Sequence, residues 1–229
     1  DGIGEVQSAV VIGVRGVRGG RAREGRDLPP PPAEAFAALQ ASGRVPVVQT
    51  LLLLCGLEFH DLIRSVRRFW PGAPIGLPLL SGDSDVAALT EALAPAVEQA
   101  GDEGLLWVGH GTGHPSGLAY QALTAVWRQR FGPRVALGLL SGGPTPREIA
   151  AGFRAAGMQR VRLRPLMLLA GTHFWRDMAG EGPDSWKSRL QIEGLEVVCD
   201  PQALMESPGV AEIFGDHLQA ALDRHPGIP

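Results

Sequence analysis

LLWVGHGTGHPSGLAY, residues 105–120, changes character twice within a few turns of chain. Residues 105–109 are apolar without a break, as expected of a strand covered on both faces. A glycine-rich turn carrying His110 and His114 follows. From Ser116 onward the apolar positions take up helical spacing. Strand, bare turn and helix form one βα unit, and the same order recurs in both directions from it.

Short apolar runs bounded by Gly or Pro predict strands at 8–14, 45–54, 75–80, 105–109, 135–140, 161–169 and 195–199. Helical patterns fall between them at 33–42, 59–69, 84–100, 116–131, 146–156, 185–193 and 209–224. Asp83 or Ser84 is expected to cap the helix at 84–100, and Asp184 or Ser185 the one at 185–193. This alternation predicts an α/β fold in which mostly parallel sheets are flanked by helices. AVVIGVRGVRGG near the start echoes LLWVGHGTGHPSG, a strand followed by a Gly-rich turn. Two similar domains are therefore expected, 1–103 and 104–229, with the last helix packed back on the first.

The chain has 229 residues and a formal net charge of −3, so nothing marks it as a nucleic-acid binder. Arg15, Arg18, Arg21, Arg23 and Arg26 cluster in a Gly-rich segment without aromatics and read as a solvated loop. No apolar run approaches the ~20 residues of a membrane span. Cys55 and Cys199 are too few and too far apart for a disulfide framework, which favours a reducing, cytoplasmic compartment. Self-association into a homo-oligomer is compatible with this composition.

His110 sits between Gly109 and Gly111, with Thr112 following, so a bulky ligand or a metal can approach closely. His173 lies beyond another apolar run, in RPLMLLAGTHFWRDMAG, residues 164–180. Ligands of open α/β sheets collect beyond the carboxyl ends of strands, so the two imidazoles are expected to face one another across one groove. Such a pair suits Co²⁺, Fe²⁺, Ni²⁺ or Zn²⁺. Glu58 follows the 45–54 strand and reads equally as a proton acceptor and as a helix N-terminal acid. His60 and Asp61 belong to that helix's first turn, while His217 and His225 are expected at the surface of the last helix. WRDMAGEGPDSWKSRL, residues 175–190, reads as a polar loop leading into a helix.

GHGTGHPSGLAY and RPLMLLAGTHFWRDMAGEGPDSWKSRL together resemble the anaerobic sirohydrochlorin cobaltochelatases of the CbiK type, within the class II chelatases. VPVVQTLLLLCGLEFHDL, residues 45–62, is similar to that family's middle segment. The resemblance implies a tetrapyrrole cleft between two similar domains. It implies a lyase-class metal chelatase of cobalamin and porphyrin biosynthesis, inserting cobalt or iron into sirohydrochlorin without a nucleotide. His110 and His173 fall on the family's two metal-binding histidines, and Glu58 on its acidic segment. Arg15 and Arg176 become candidate partners for the substrate's carboxylates, beside Gly109, Gly111 and Thr112.

Departures from the family pattern are specific. Val14–Val17 occupy the position of a His-x-Gly-Thr turn, Leu52 stands near an expected histidine, and Ser141 near an expected acid. A helix's worth of sequence is absent between Gly16 and Pro30. A second reading, a diverged tetrapyrrole- or metal-binding protein without turnover, follows from these. A dinucleotide-binding or solute-binding module is disfavoured because Gly13, Gly16 and Gly19 miss the G-x-G-x-x-G spacing. Neither LLSGGP nor PLLSGDSD forms the G-x-S-x-G of a serine hydrolase.

Overall fold

The computed structural model describes residues 32–41 and 46–225. Its elements are α1 (Pro32–Ala41), β1 (Val48–Gln49), α2 (Leu57–Phe69), β2 (Ile75–Gly76), α3 (Asp83–Gln99), β3 (Gly104–Gly109), α4 (Leu118–Phe131), β4 (Val135–Leu139), α5 (Pro146–Ala155), β5 (Arg160–Pro165), α6 (Trp186–Ile192), β6 (Glu196–Cys199) and α7 (Pro208–Asp223). Strands and helices alternate as the sequence predicts. The predicted strand at 8–14, the arginine cluster that includes Arg15, and Val14 lie outside the described residues.

β4, β3, β5 and β6 form a parallel sheet in that order, and β1 pairs with β2 in a smaller parallel sheet. β3 explains its own sequence. Leu105 and Trp107 face a core shared with Leu79, Leu89, Val210 and Phe214, whereas Leu106 and Val108 face Phe153, Leu163 and Trp186. Both faces are covered, so no polar residue interrupts the run.

The 45–54 run is less regular than its apolar character predicts. It pairs as a strand only at Val48–Gln49, with an isolated bridge from Leu54 to Leu80. Between these points the Leu79 and Leu80 N–H groups still donate to the Leu52 and Leu53 carbonyls at 2.9 Å, and polar side chains add to the pairing. Thr50 Oγ1 donates to the Gly76 carbonyl at 3.1 Å, and Gln49 Nε2 to the Leu77 carbonyl at 3.1 Å. The run at 161–169 stops as a strand at Pro165, although the Leu166 N–H still donates to the Val108 carbonyl at 2.8 Å.

Neither Asp83 nor Ser84 caps α3. Gly82 holds the cap position, and the Asp85 carboxylate accepts from the Ser81 and Gly82 N–H groups at 2.7 and 2.9 Å. Ser185 caps α6, accepting from the Ser188 N–H at 3.1 Å. α7 packs against α3, β1 and β2, so the end of the chain covers the smaller sheet. His217 lies on the packed face and not at the surface: its side chain is 12% exposed. It shares a helical stripe with Ile213, Phe214 and Ala221, which are all buried. Its Nδ1 lies 3.1 Å from the Leu77 carbonyl and its Nε2 3.1 Å from Asp85 Oδ1. Among the described residues no helix is long and apolar enough to cross a membrane.

Candidate active site

β3 and β5 are adjacent strands, so the chain leaves their carboxyl ends side by side. His110 is the first residue past β3. The loop after β4 pins its backbone: the Leu140 N–H donates to the Gly109 carbonyl at 2.8 Å, and the Ser141 N–H to the His110 carbonyl at 2.9 Å. Gly111 makes the sharp exit, with φ at +75°. A Cβ there would lie 1.9 Å from the Ser141 carbonyl oxygen, so only glycine fits. Beneath the turn Tyr120 is buried against Gly109, and burial pushes its hydroxyl pKa up.

His173 lies just before the segment expected to be a polar loop, 175–190. That segment opens instead as a π-helical turn, Phe174–Met178, in which the Ala179 N–H donates to the Phe174 carbonyl at 2.8 Å. Phe174 and Met178 are fully buried and anchor it, which the local excess of charge conceals. π-bulges of this kind recur at functional sites.

The two imidazoles meet. Their ring centroids are 4.7 Å apart and their planes 88° from parallel. The expected groove between facing rings is therefore corrected. The rings leave neighbouring strands and touch edge to face, with no gap between them for a flat ligand. They share a pocket of about 560 Å³ with Ser141, Asp177, Trp186 and the SGGP turn.

Partial removal from water holds the His110 pKa below the ordinary imidazole value, and the neighbouring His173 lowers it further. His173 Nδ1 is 2.6 Å from Asp177 Oδ2. Asp177 is the residue that reading by motif missed; its signal was the i, i+4 spacing from His173 on a helical turn. Arg176 Nε donates to Asp177 Oδ1 at 2.6 Å and Arg176 Nη2 to Oδ2 at 3.0 Å. These bonds, then the one from His173, bring the Asp177 pKa down to about 2. Arg176 thus has its Nε and Nη2 engaged on Asp177, on an exposed side chain beside the pair.

Glu58 stands exposed on the first turn of α2 and acts on the pair through space, its charge favouring protonation of His110. Thr112 Oγ1 accepts from the His114 N–H at 3.1 Å and serves the turn itself. His114 closes the next turn by accepting from the Ser116 N–H at 3.2 Å, and its ring lies 5.6 Å from that of His60. Leu52 is half-buried beside β1, and Ser141 is exposed on the pocket wall. Among the described residues no group of three or more His, Cys, Asp or Glu side chains is arranged to hold a metal. His110 and His173 bring two imidazole rings together there, beside the Asp177 carboxylate.

Residues 21–223 match the family model for cobalt chelatase, CbiK. The chain is 37% identical over 183 residues to sirohydrochlorin cobaltochelatase CbiKC of Nitratidesulfovibrio vulgaris strain Hildenborough, covering 76% of this chain and 64% of that protein. Its match thus spans less than two thirds of that relative's length. It is 34% identical over 211 residues to the sirohydrochlorin cobaltochelatase of Salmonella typhimurium strain LT2, covering 89% of this chain and 78% of that one. Among solved structures, SirB from Bacillus subtilis with Fe³⁺ superposes with a TM-score of 0.58 at 15% identity, covering 87% of this chain and 81% of SirB. The sirohydrochlorin chelatase SirB from Bacillus subtilis subspecies spizizenii in complex with cobalt gives 0.54 at 13% identity, covering 86% and 78%. These structures bear on the fold alone; the match along the sequence settles the family. This chain belongs to the CbiK cobalt chelatase family.

Proposed function

We propose that the protein inserts a divalent metal, cobalt first and iron second, into sirohydrochlorin without a nucleotide. The observation that carries this reading is the edge-to-face contact of His110 and His173 at the mouth of an open pocket. The relatives named for this reaction support the substrate.

Insertion exchanges one dication for two pyrrole protons. His110 and His173 hold the incoming ion from one side, and the macrocycle covers the other. As pyrrole nitrogens take the metal, the imidazole lone pairs are released and accept the departing protons. Two imidazolium rings at this distance repel, so they pass the protons on, with the exposed Glu58 carboxylate in electrostatic reach of His110. The site resets without a stored charge.

We read residues 1–103 and 104–229 as the two halves around the substrate; the smaller sheet precedes the division and the larger follows it. A cytoplasmic setting accords with the free thiols Cys55 and Cys199. Anaerobic incubation with sirohydrochlorin and Co²⁺, Fe²⁺ or Ni²⁺ in turn, followed by absorption, tests the reaction. Cobalt insertion at a rate that His110→Ala and His173→Ala each reduce at least ~100-fold is expected. Insertion unaffected by both substitutions would refute the metal roles.

A further inference from the structure

We propose that Asp177, locked by Arg176, is a positioning residue that fixes His173 in the tautomer with its Nε2 lone pair aimed at the metal. The proposal rests on the reading of His173 as a metal ligand.

The geometry leaves few alternatives. Asp177 Oδ2 is 2.6 Å from His173 Nδ1, while Arg176 grips both oxygens of the same carboxylate, at 2.6 and 3.0 Å. A carboxylate held in a guanidinium fork is ionised, and an ionised carboxylate only accepts. The His173 Nδ1 must therefore carry the hydrogen. In a neutral ring that leaves the lone pair on Nε2. The ring's pose is set by the same bond, because Asp177 cannot rotate without breaking the fork.

The backbone enforces the arrangement. His173, Arg176 and Asp177 lie on or beside the π-helical turn held by buried Phe174 and Met178. Past its end the chain doubles back so tightly that a Cβ on Gly180 would lie 2.3 Å from the Arg176 carbonyl oxygen. The turn has little freedom to slide, so the acceptor stays in register with the ring. His110 has no such partner in its own turn and leans on His173 edge to face. Ordering His173 thus orders the pair. A carboxylate behind a ligating imidazole also strengthens its donation to a metal.

The test is Co²⁺ titration of the protein without tetrapyrrole, read by the visible ligand-field band of bound Co²⁺, beside steady-state insertion kinetics. Asp177→Asn should weaken Co²⁺ binding about 10–100-fold and alter the band, with the KM for Co²⁺ raised and that for sirohydrochlorin unchanged. Asp177→Glu should restore part of the affinity. Arg176→Gln, which keeps the carboxylate but frees its rotation, should give a smaller loss of the same kind. It also carries the test if Asp177→Asn does not fold. Parent-like affinity and spectrum in folded Asp177→Asn, with His173→Ala strongly impaired, would overturn the positioning role alone. Parent-like Co²⁺ binding in His173→Ala as well would overturn the underlying functional reading.

Discussion

At the scale of single residues, the pocket is governed by how His110 is kept uncharged. Its pKa is lowered first by desolvation and second by the His173 charge. Followed by NMR, its ring should titrate below the ordinary 6.5, and His173→Ala should move the midpoint up. Part of the depression should survive, because burial is the larger cause. A midpoint unmoved by His173→Ala would show that the rings do not sense one another. The lowered His110 pKa also makes stability depend on pH. With the folded value below the unfolded one, the contribution is full above the unfolded value and is lost as pH falls through the folded one. Gly111 is the second critical residue. Gly111→Ala forces a side chain into the left-handed region and against Ser141, costing at least about 1–3 kcal/mol. Thermal melting should show the loss, and Co²⁺ binding should weaken with it, since His110 shares that turn. The histidines were legible in the sequence because glycines flank one and both follow apolar runs. Their contact was not, since only the strand order places β5 next to β3.

At the scale of elements, the sequence was most legible where both faces of a strand are buried and least where polar groups substitute for regular pairing. β3 and β4 declare themselves as apolar runs, whereas β5 alternates arginines with apolar residues. The 45–54 run overstates its strand: regular pairing covers only Val48–Gln49, and beyond it side-chain bonds from Gln49 and Thr50 and a few main-chain bonds join the two segments. The π-helical turn understates itself, because Asp177 lines the pocket and Arg176 is exposed while Phe174 and Met178 do the anchoring. Phe174→Ala should therefore cost about 3–5 kcal/mol as a core truncation, measured by denaturant unfolding. It should also loosen the His173–Asp177 bond and weaken Co²⁺ binding in whatever fraction remains folded. Retained stability with intact Co²⁺ binding would mean that Phe174 does not hold the turn.

At the scale of the whole molecule, the end of the chain is a structural member of its beginning. The smaller sheet has only two short strands among the described residues, too little to close a core alone. α7 supplies Val210, Ile213 and Phe214 to the core that includes Leu79 and Leu89. The polar part of the same contact is His217 between Asp85 and the Leu77 carbonyl, a link the sequence hid because a lone histidine near a chain end looks like surface. Asp85 also accepts from two N–H groups at the start of α3, so one carboxylate ties α3 to α7. Asp85→Ala should then cost more than His217→Ala. It loses the cap, about 0.5–2 kcal/mol, and strands the buried ring, about 1–3 kcal/mol, whereas His217→Ala loses only the second kind of contact. The double variant should fall short of the sum by a coupling of about 0.5–3 kcal/mol, the mark of a direct contact. Denaturant melts of the parent, both single variants and the double one measure this. Strict additivity would show that α7 is held by its apolar face alone, with the Asp85–His217 bridge energetically silent.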